Sequence, residues 1–188
     1  MIYLLLIETE EDRRKFEIVY KKYRRLMAAV AYEVLNNYGE VEDVIHDSFE
    51  KIANNMHCIG EAESKETRNF VTVIAKHTAI DFYRKKKMRI KKEVCFDELK
   101  DYQMPRTYME LKDDSEGRIL KVLTELPDVY KEVLTLRYVN HLPHKDIARI
   151  LGIREGTVRT RITRGKKMIE DVLNEMLEEE QKQGRRIQ

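Results

Sequence analysis

Hydrophobic residues recur at three- and four-residue intervals through most of this 188-residue chain, and the alternating period of a strand is nearly absent. Phe16, Val19, Tyr20, Tyr23, Met27, Val30, Ala31 and Val34 define a long amphipathic helix ending near Gly39. Val41, Val44, Ile45, Phe49 and Ile52 define a second helix. Phe70, Val73, Ile74, His77 and Ile80 define a third, which runs into a basic tract at residues 84–92. Three such stripes can close one small core. Periodicity weakens over 93–116, where Pro105 and mixed polar residues predict a linker, with Phe96, Leu99, Tyr102 and Tyr108 available for transient docking. A second block follows: Ile119, Leu120 and Leu123, a break at Leu126 and Pro127, then Val129, Val133 and Leu136. The expectation is an all-α chain of two small helical domains, 1–92 and 117–177, joined by a flexible linker at 93–116 and followed by an acidic, polar tail at 178–188.

The stretch 142–167 carries the most specific pattern. Ile147, Ala148 and Leu151 give a short helix one apolar face, and Gly152 stands where that helix must stop and the backbone must turn left-handed. Val158, Ile162 and Ile169 stripe the helix that follows. Two short helices around a tight turn are a helix-turn-helix, whose second helix enters the DNA major groove. At 100° per residue, Gly156, Thr160, Thr163, Arg164 and Lys167 lie opposite the apolar stripe, with Arg159 and Arg161 on the flanks. Hydroxyls and one guanidinium fork face the base edges in this reading, and the flanking cations meet the phosphate ridges; Thr157, at the helix start, is counted among the DNA-binding residues.

Composition sharpens this picture. The formal net charge is only +2, so the molecule as a whole is no basic glue for nucleic acid. Its charge is segregated: 84–92 and 154–167 are basic, 8–12 and 178–180 acidic, a distribution that suits localised phosphate docking. Cys58 and Cys95 lie far apart without CxxC spacing, which argues against a disulfide framework and for a reduced cytoplasmic interior. His57 and Cys58 are at most half of a metal site; no second pair follows, so ordinary side chains and no cofactor are the preferred reading. The apolar run at 3–7 is far short of the roughly 20 residues that cross a bilayer. It lacks the basic leader and cleavage site of a signal peptide, so no membrane insertion is expected.

The first block holds a second constellation. Glu42, Asp43, His46, Asp47 and Glu50 form a polar face opposite Ile45, Phe49 and Ile52. Carboxylates beside a histidine suggest acid–base chemistry, but no phosphate loop or nucleophile triad completes a catalytic set. A protein-docking face is the more economical reading. On the third helix Phe70, Ile74 and His77 point inward, while Arg68, Asn69, Thr72, Lys76 and Tyr83 point outward and Lys86 and Lys87 extend that surface. Cations interleaved with a phenol suit unpaired DNA, with charge for phosphates and a ring for stacking. Asp81 is expected to pair with Arg84 or Lys85 as a clamp on helix geometry. The loop 53–66 either cups an extruded base or merely connects.

Taken in order, these motifs resemble the bacterial sigma-70 family, in particular the small extracytoplasmic-function (ECF) type. Phe16 and Tyr20, the run Val41-Glu-Asp-Val-Ile-His-Asp-Ser-Phe49, and Phe70 through Asp81 and Arg84 resemble sigma region 2. Leu126 and Pro127, Val133, Leu136 and Arg137, Asp146 to Ala148, Leu151 to Ile153, Gly156 to Arg159 and Arg164 resemble region 4. The resemblance spans about residues 16–173. It implies an initiation factor, not an enzyme, that docks on core RNA polymerase through Asp43, His46, Asp47 and Glu50. The third helix would melt and read the minus-ten element of promoter DNA, and the helix-turn-helix would read the minus-thirty-five element. The linker would thread toward the polymerase active centre. Such a factor leaves room for an anti-sigma partner.

The chain departs from that pattern at several positions. His46 stands for a frequent Gln, His77 for a frequent Asn and Phe70 for the usual Trp; Pro143 and Arg154 replace Ser or Thr caps. Proline can open a helix, and Arg154 can add a phosphate contact. Two readings compete. A helix-turn-helix repressor or activator with a partner-binding N-terminal domain needs a ligand pocket or a self-complementary apolar face. A sigma mimic that sequesters an anti-sigma factor should lack the basic face at 160–167.

Overall fold

The computed structural model of the chain describes residues 2–93 and 126–184, with the side chains of 3–89 and 126–175. The linker proper, its four candidate docking residues, and Ile119, Leu120 and Leu123 lie outside the described residues. Among the described residues every regular element is helical.

Helix α1 (Glu10–Leu35) opens on Thr9, whose hydroxyl accepts from the Asp12 N–H, and carries Glu10, Glu11 and Asp12 in its first turn. Both features satisfy or complement the unpaired N–H groups there. Its end is set by two asparagines. Asn36 takes a left-handed φ of 50°, and the Asn37 side chain accepts from Gly39 and Glu40 N–H to start α2 (Tyr38–Ala53). Gly39 therefore lies inside α2 and does not mark the stop expected of it; asparagine tolerates the left-handed region and caps helices, so it does both jobs. Helix α3 (Lys65–Glu93) is capped by the Ser64 hydroxyl, which accepts from the Thr67 N–H at 3.1 Å. It continues unbroken through the basic tract.

These three helices enclose the first core. Phe16, Val19 and Met27 of α1, Val44, Phe49 and Ile52 of α2, and Phe70, Val71 and Ile74 of α3 are essentially solvent-free. A 3-10 turn at Ile2–Leu6 adds Tyr3, whose ring lies 5.7 Å from Phe16 and 6.1 Å from Phe49, centre to centre. The loop between α2 and α3 contains a short 3-10 turn, Met56–Cys58, and its Met56, Ile59 and Ala62 are buried. The loop is thus anchored on the core. A cavity of about 360 Å³ lies instead between α2 and α3, lined in part by Asp47, Lys51, Asp81 and Lys85.

The second block comprises α4 (Asp128–Leu134), a π-turn at Thr135–Val139, α5 (His144–Ile150) and α6 (Glu155–Gly184). Gly152 has φ +60°, the left-handed turn expected between α5 and α6. Pro143 and Arg154 begin the two helices without a side-chain cap; the Arg154 carbonyl accepts from Val158 N–H at 3.1 Å. Val133, Leu136, Ile147, Val158, Leu151 and Ile150 form the core. Helix α6 runs through the expected tail as far as Gly184. The two blocks touch: α3 packs on the π-turn and on α4 through the contacts described below.

Candidate nucleic-acid interface

Helix α6 divides cleanly into two sides. Val158 and Ile162 are buried, Ile169 is half-buried, and Gly156, Arg159, Thr160, Thr163, Arg164 and Lys167 are exposed, with Thr157 and Arg161 intermediate. The Thr160 hydroxyl donates to the Gly156 carbonyl at 2.9 Å, and that of Thr163 to the Arg159 carbonyl at 3.1 Å. Each threonine hydroxyl is thereby tied back to its own helix at an exposed position. Arg159 makes only a loose, exposed pair with Glu155 at 3.9 Å. Among the described residues Arg164 and Lys167 make no ion pair, so their charges are available to a ligand. Gly165 is buried on the opposite side, because α4 crosses there: an added Cβ would meet Leu134 Cδ1 at 3.0 Å and Tyr130 Cβ at 3.2 Å.

The outer face of α3 is differently placed. Arg68 and Lys86 are exposed, and Asn69, Thr72, Lys76, Tyr83 and Lys87 are intermediate. Lys76 Nζ is bound to Asp128 Oδ1 of α4 at 2.8 Å, both side chains being only a quarter exposed. Lys86 pairs with Glu40 of α2. Thus one expected DNA contact is held by the second block and another by the neighbouring helix. On α2, Asp43, His46, Asp47 and Glu50 are all exposed. The Tyr3 hydroxyl meets His46 Nδ1 at 2.7 Å and fixes that ring on the surface.

A buried ionic knot joins the blocks. His77 Nδ1 lies 3.0 Å from Glu132 Oε2 of α4, and Nε2 lies 3.0 Å from the Leu151 carbonyl and 3.2 Å from Asp81 Oδ2. Both ring nitrogens face oxygen atoms, an arrangement that favours the doubly protonated imidazolium. Burial by itself would lower the His77 pKa, but the Asp81 and Glu132 carboxylates outweigh it and raise the value to about 9. Asp81 is held below the usual carboxylate range despite its burial, chiefly by His77. Its ion-pair partner is therefore His77, one turn back, not Arg84 or Lys85, and its other side borders the cavity between α2 and α3. Neither Glu132 nor Asp128 stood out in the sequence, since nothing in helical spacing announces a contact between blocks.

A second cross-block group forms at His57 and Cys58, where ordinary side chains were the preferred reading. Asp146, in the first turn of α5, brings its Oδ2 to 3.5 Å from His57 Nε2, and Cys58 Sγ lies 3.3 Å from the same nitrogen. Burial, with the Asp146 carboxylate beside it, pushes the Cys58 thiol up to about 11.

Comparison with known proteins accounts for both blocks. The family model "Sigma-70 region 2" matches residues 19–89, and "Sigma-70, region 4" matches 116–169. The chain belongs to the sigma-70 family, as an ECF-type factor. The "ECF RNA polymerase sigma factor SigW" of Bacillus subtilis (strain 168) is 28% identical over 178 residues, covering 88% of this chain and 92% of that one. The "ECF RNA polymerase sigma-E factor" of Haemophilus influenzae (strain ATCC 51907 / DSM 11121 / KW20 / Rd) is 25% identical over 176 residues, covering 88% and 91%. A solved structure of the sigma factor RpoE in complex with the anti-sigma factor NepR from Bartonella quintana covers 88% of this chain and 98% of its own, at 14% identity and a TM-score of 0.38. Membership gives the chain a role in transcription initiation and displaces the stand-alone repressor or activator. No described helix of this sigma factor is long and apolar enough to cross a membrane.

Proposed function

We propose that this sigma factor gives core RNA polymerase its choice of promoter and catalyses nothing itself. In this reading 1–92 and 117–177 are its two working domains, with 93–116 as the tether between them. Asp43, His46, Asp47 and Glu50 on α2 dock on core polymerase. Arg68, Asn69, Thr72, Lys76, Tyr83, Lys86 and Lys87 on α3 hold the melted minus-ten strand, charge meeting phosphate and the phenol stacking on a base. Thr157, Arg159, Thr160, Arg161, Thr163, Arg164 and Lys167 on α6 engage the minus-thirty-five duplex. An anti-sigma protein would act by covering one of these surfaces.

The observation that carries the reading is the two-sided α6, with Val158, Ile162 and Gly165 buried beneath exposed Thr160, Thr163, Arg164 and Lys167. A helix anchored on one side and cationic on the other meets the requirement for a major-groove reader. Exposed threonines suit such a reader, a hydroxyl oxygen being able to accept from a base amino group and a methyl to contact thymine. Each basic patch offers few phosphate contacts, so the isolated protein should bind promoter DNA weakly and with steep salt dependence, and tightly only with polymerase. The direct test is initiation from a defined start site by core polymerase supplemented with the protein. Replacing both Asp43 and Asp47 with Lys should abolish co-elution with core polymerase while helical content stays unchanged. Normal co-elution of that variant would refute the docking assignment.

A further inference from the structure

We propose that His57, Cys58 and Asp146 form a binding site for a thiolate-favouring divalent cation of the zinc class, and that the bound ion clamps the two blocks together. The three ligand atoms, His57 Nε2, Cys58 Sγ and an Asp146 oxygen, all lie within 4.8 Å of one another. Two of the separations, 3.3 Å and 3.5 Å, share His57 Nε2 as their common atom. Tetrahedral zinc with bonds of ~2.0–2.3 Å sets ligand-to-ligand edges of ~3.3–3.8 Å. The side chains are thus spaced for an ion between them with little rearrangement.

The donor set is also chemically consistent. One imidazole, one thiolate and one carboxylate are a ligand combination that zinc and its neighbours accept, and sulfur selects against magnesium and calcium. The thiolate and the carboxylate together balance the charge of a divalent ion, the thiol proton leaving to solvent as the metal–sulfur bond forms. Three protein ligands leave the fourth position to water, and His57, with half its side chain exposed, gives solvent a way in. The ligands are held from behind. Arg149 binds Asp146 Oδ1 at 3.0 Å and leaves Oδ2 turned toward His57. The Met56–Cys58 turn is fixed by buried Met56 and by the Cys58 N–H donating to the Asn55 carbonyl at 2.9 Å. Orientation of ligands by such outer contacts is what distinguishes a built site from a chance cluster.

The location gives the ion its consequence. His57 and Cys58 belong to the loop before α3, and Asp146 to the helix-turn-helix. A bond to all three fixes the same arrangement in which Asp128 holds Lys76 and Glu132 holds His77. The ion would therefore favour the closed arrangement over any in which the α3 face is clear of the second block, and couple metal level to promoter engagement.

Cobalt(II) titrated into the full chain under reducing conditions tests this, because a cobalt–thiolate bond gives a charge-transfer band that neither polymerase nor DNA is needed to see. The experiment is run in a Cys95→Ser background so that the thiolate is assigned to Cys58. One equivalent should saturate the band, and zinc should displace it. Cys58→Ser should remove the band. His57→Ala, at a half-exposed position that leaves the core alone, and Asp146→Asn should each weaken binding by about 10-fold or more, the least that loss of even an orienting contact costs many metal sites. Small-angle scattering should show the radius of gyration falling on zinc addition, and Asp146→Asn should abolish that fall. No band, or a band indifferent to His57→Ala, would overturn the site. A band indifferent to Asp146→Asn, or an unchanged radius, would overturn the clamp.

Discussion

The outer faces of α3 and α6 are both cationic and both turned from an apolar core, yet they differ in what their charges already hold. On α6, Arg164 and Lys167 are exposed and make no ion pair among the described residues. On α3, Lys76 is tied to Asp128 and Lys86 to Glu40, and His77, the residue after Lys76, is buried against Glu132. One face is open and the other is partly occupied by its own molecule. A basic surface is therefore a capacity, and its readiness is set by whichever carboxylates fold onto it.

The strongest way to break the comparison is at the buried knot. His77→Ala leaves Glu132 without its cation, a loss of about 3–5 kcal/mol when a buried pair is split. Separation of the blocks would hydrate Glu132 again, so the variant should open: a larger radius of gyration and faster amide exchange in α4. An unchanged radius with unchanged protection would mean that other contacts hold the blocks. Raising the pH should act on the same contact more gently. The His77 pKa is lifted from 6.5 to about 9 in the folded molecule. Its contribution is full below pH 6.5 and lost as the pH rises through about 9, amounting to roughly 3 kcal/mol at most. Asp81 shares the helix of His77, so only the Glu132 part of this acts across the blocks; docking should weaken by that part between neutral pH and pH 10, and His77→Ala should abolish the dependence.

Arg164 sharpens the open side. If its fork reads a base, Arg164→Ala should cost about 1–3 kcal/mol at one upstream promoter position and relax the preference there. If it serves a phosphate, binding should weaken evenly across sequences and the salt slope should fall by about one contact. Selection from randomised upstream elements at two salt concentrations separates these, and an unchanged preference with unchanged affinity would reject the assigned face. The smallest effect is expected at Asp128→Asn. It frees Lys76 from a partly exposed pair worth up to about 1 kcal/mol, so single-stranded minus-ten oligonucleotide should bind slightly tighter, as fluorescence anisotropy can measure.

Within each block the sequence was a good guide, because periodicity reports which side of a helix meets its own core. Val158, Ile162, Phe70, Ile74 and His77 all lie inward, and Gly152 takes its left-handed turn. Ile169 is only half-buried because α6 outruns the block it packs on. Helix ends were less legible: the Asn36–Asn37 pair, not Gly39, turns the chain after α1. Contacts between blocks were not legible at all. Asp128, Glu132 and Asp146 read as ordinary helical surface charges until α3 and the loop before it supply Lys76, His77 and His57.

Gly165 gives the recognition helix a hidden pivot. Its missing side chain lets Leu134 and Tyr130 rest directly against the α6 backbone, and Arg164 is the very next residue toward the DNA side. A methyl group at 165 would meet Leu134 Cδ1 at 3.0 Å and Tyr130 Cβ at 3.2 Å, so either those side chains give by a few tenths of an ångström or this part of α6 shifts. Base readout depends on donor–acceptor distances with little more slack than that. A change wholly shielded from solvent would thus alter which promoters are read if α6 engages DNA as proposed, and specificity would then drift through packing as well as through the exposed side chains.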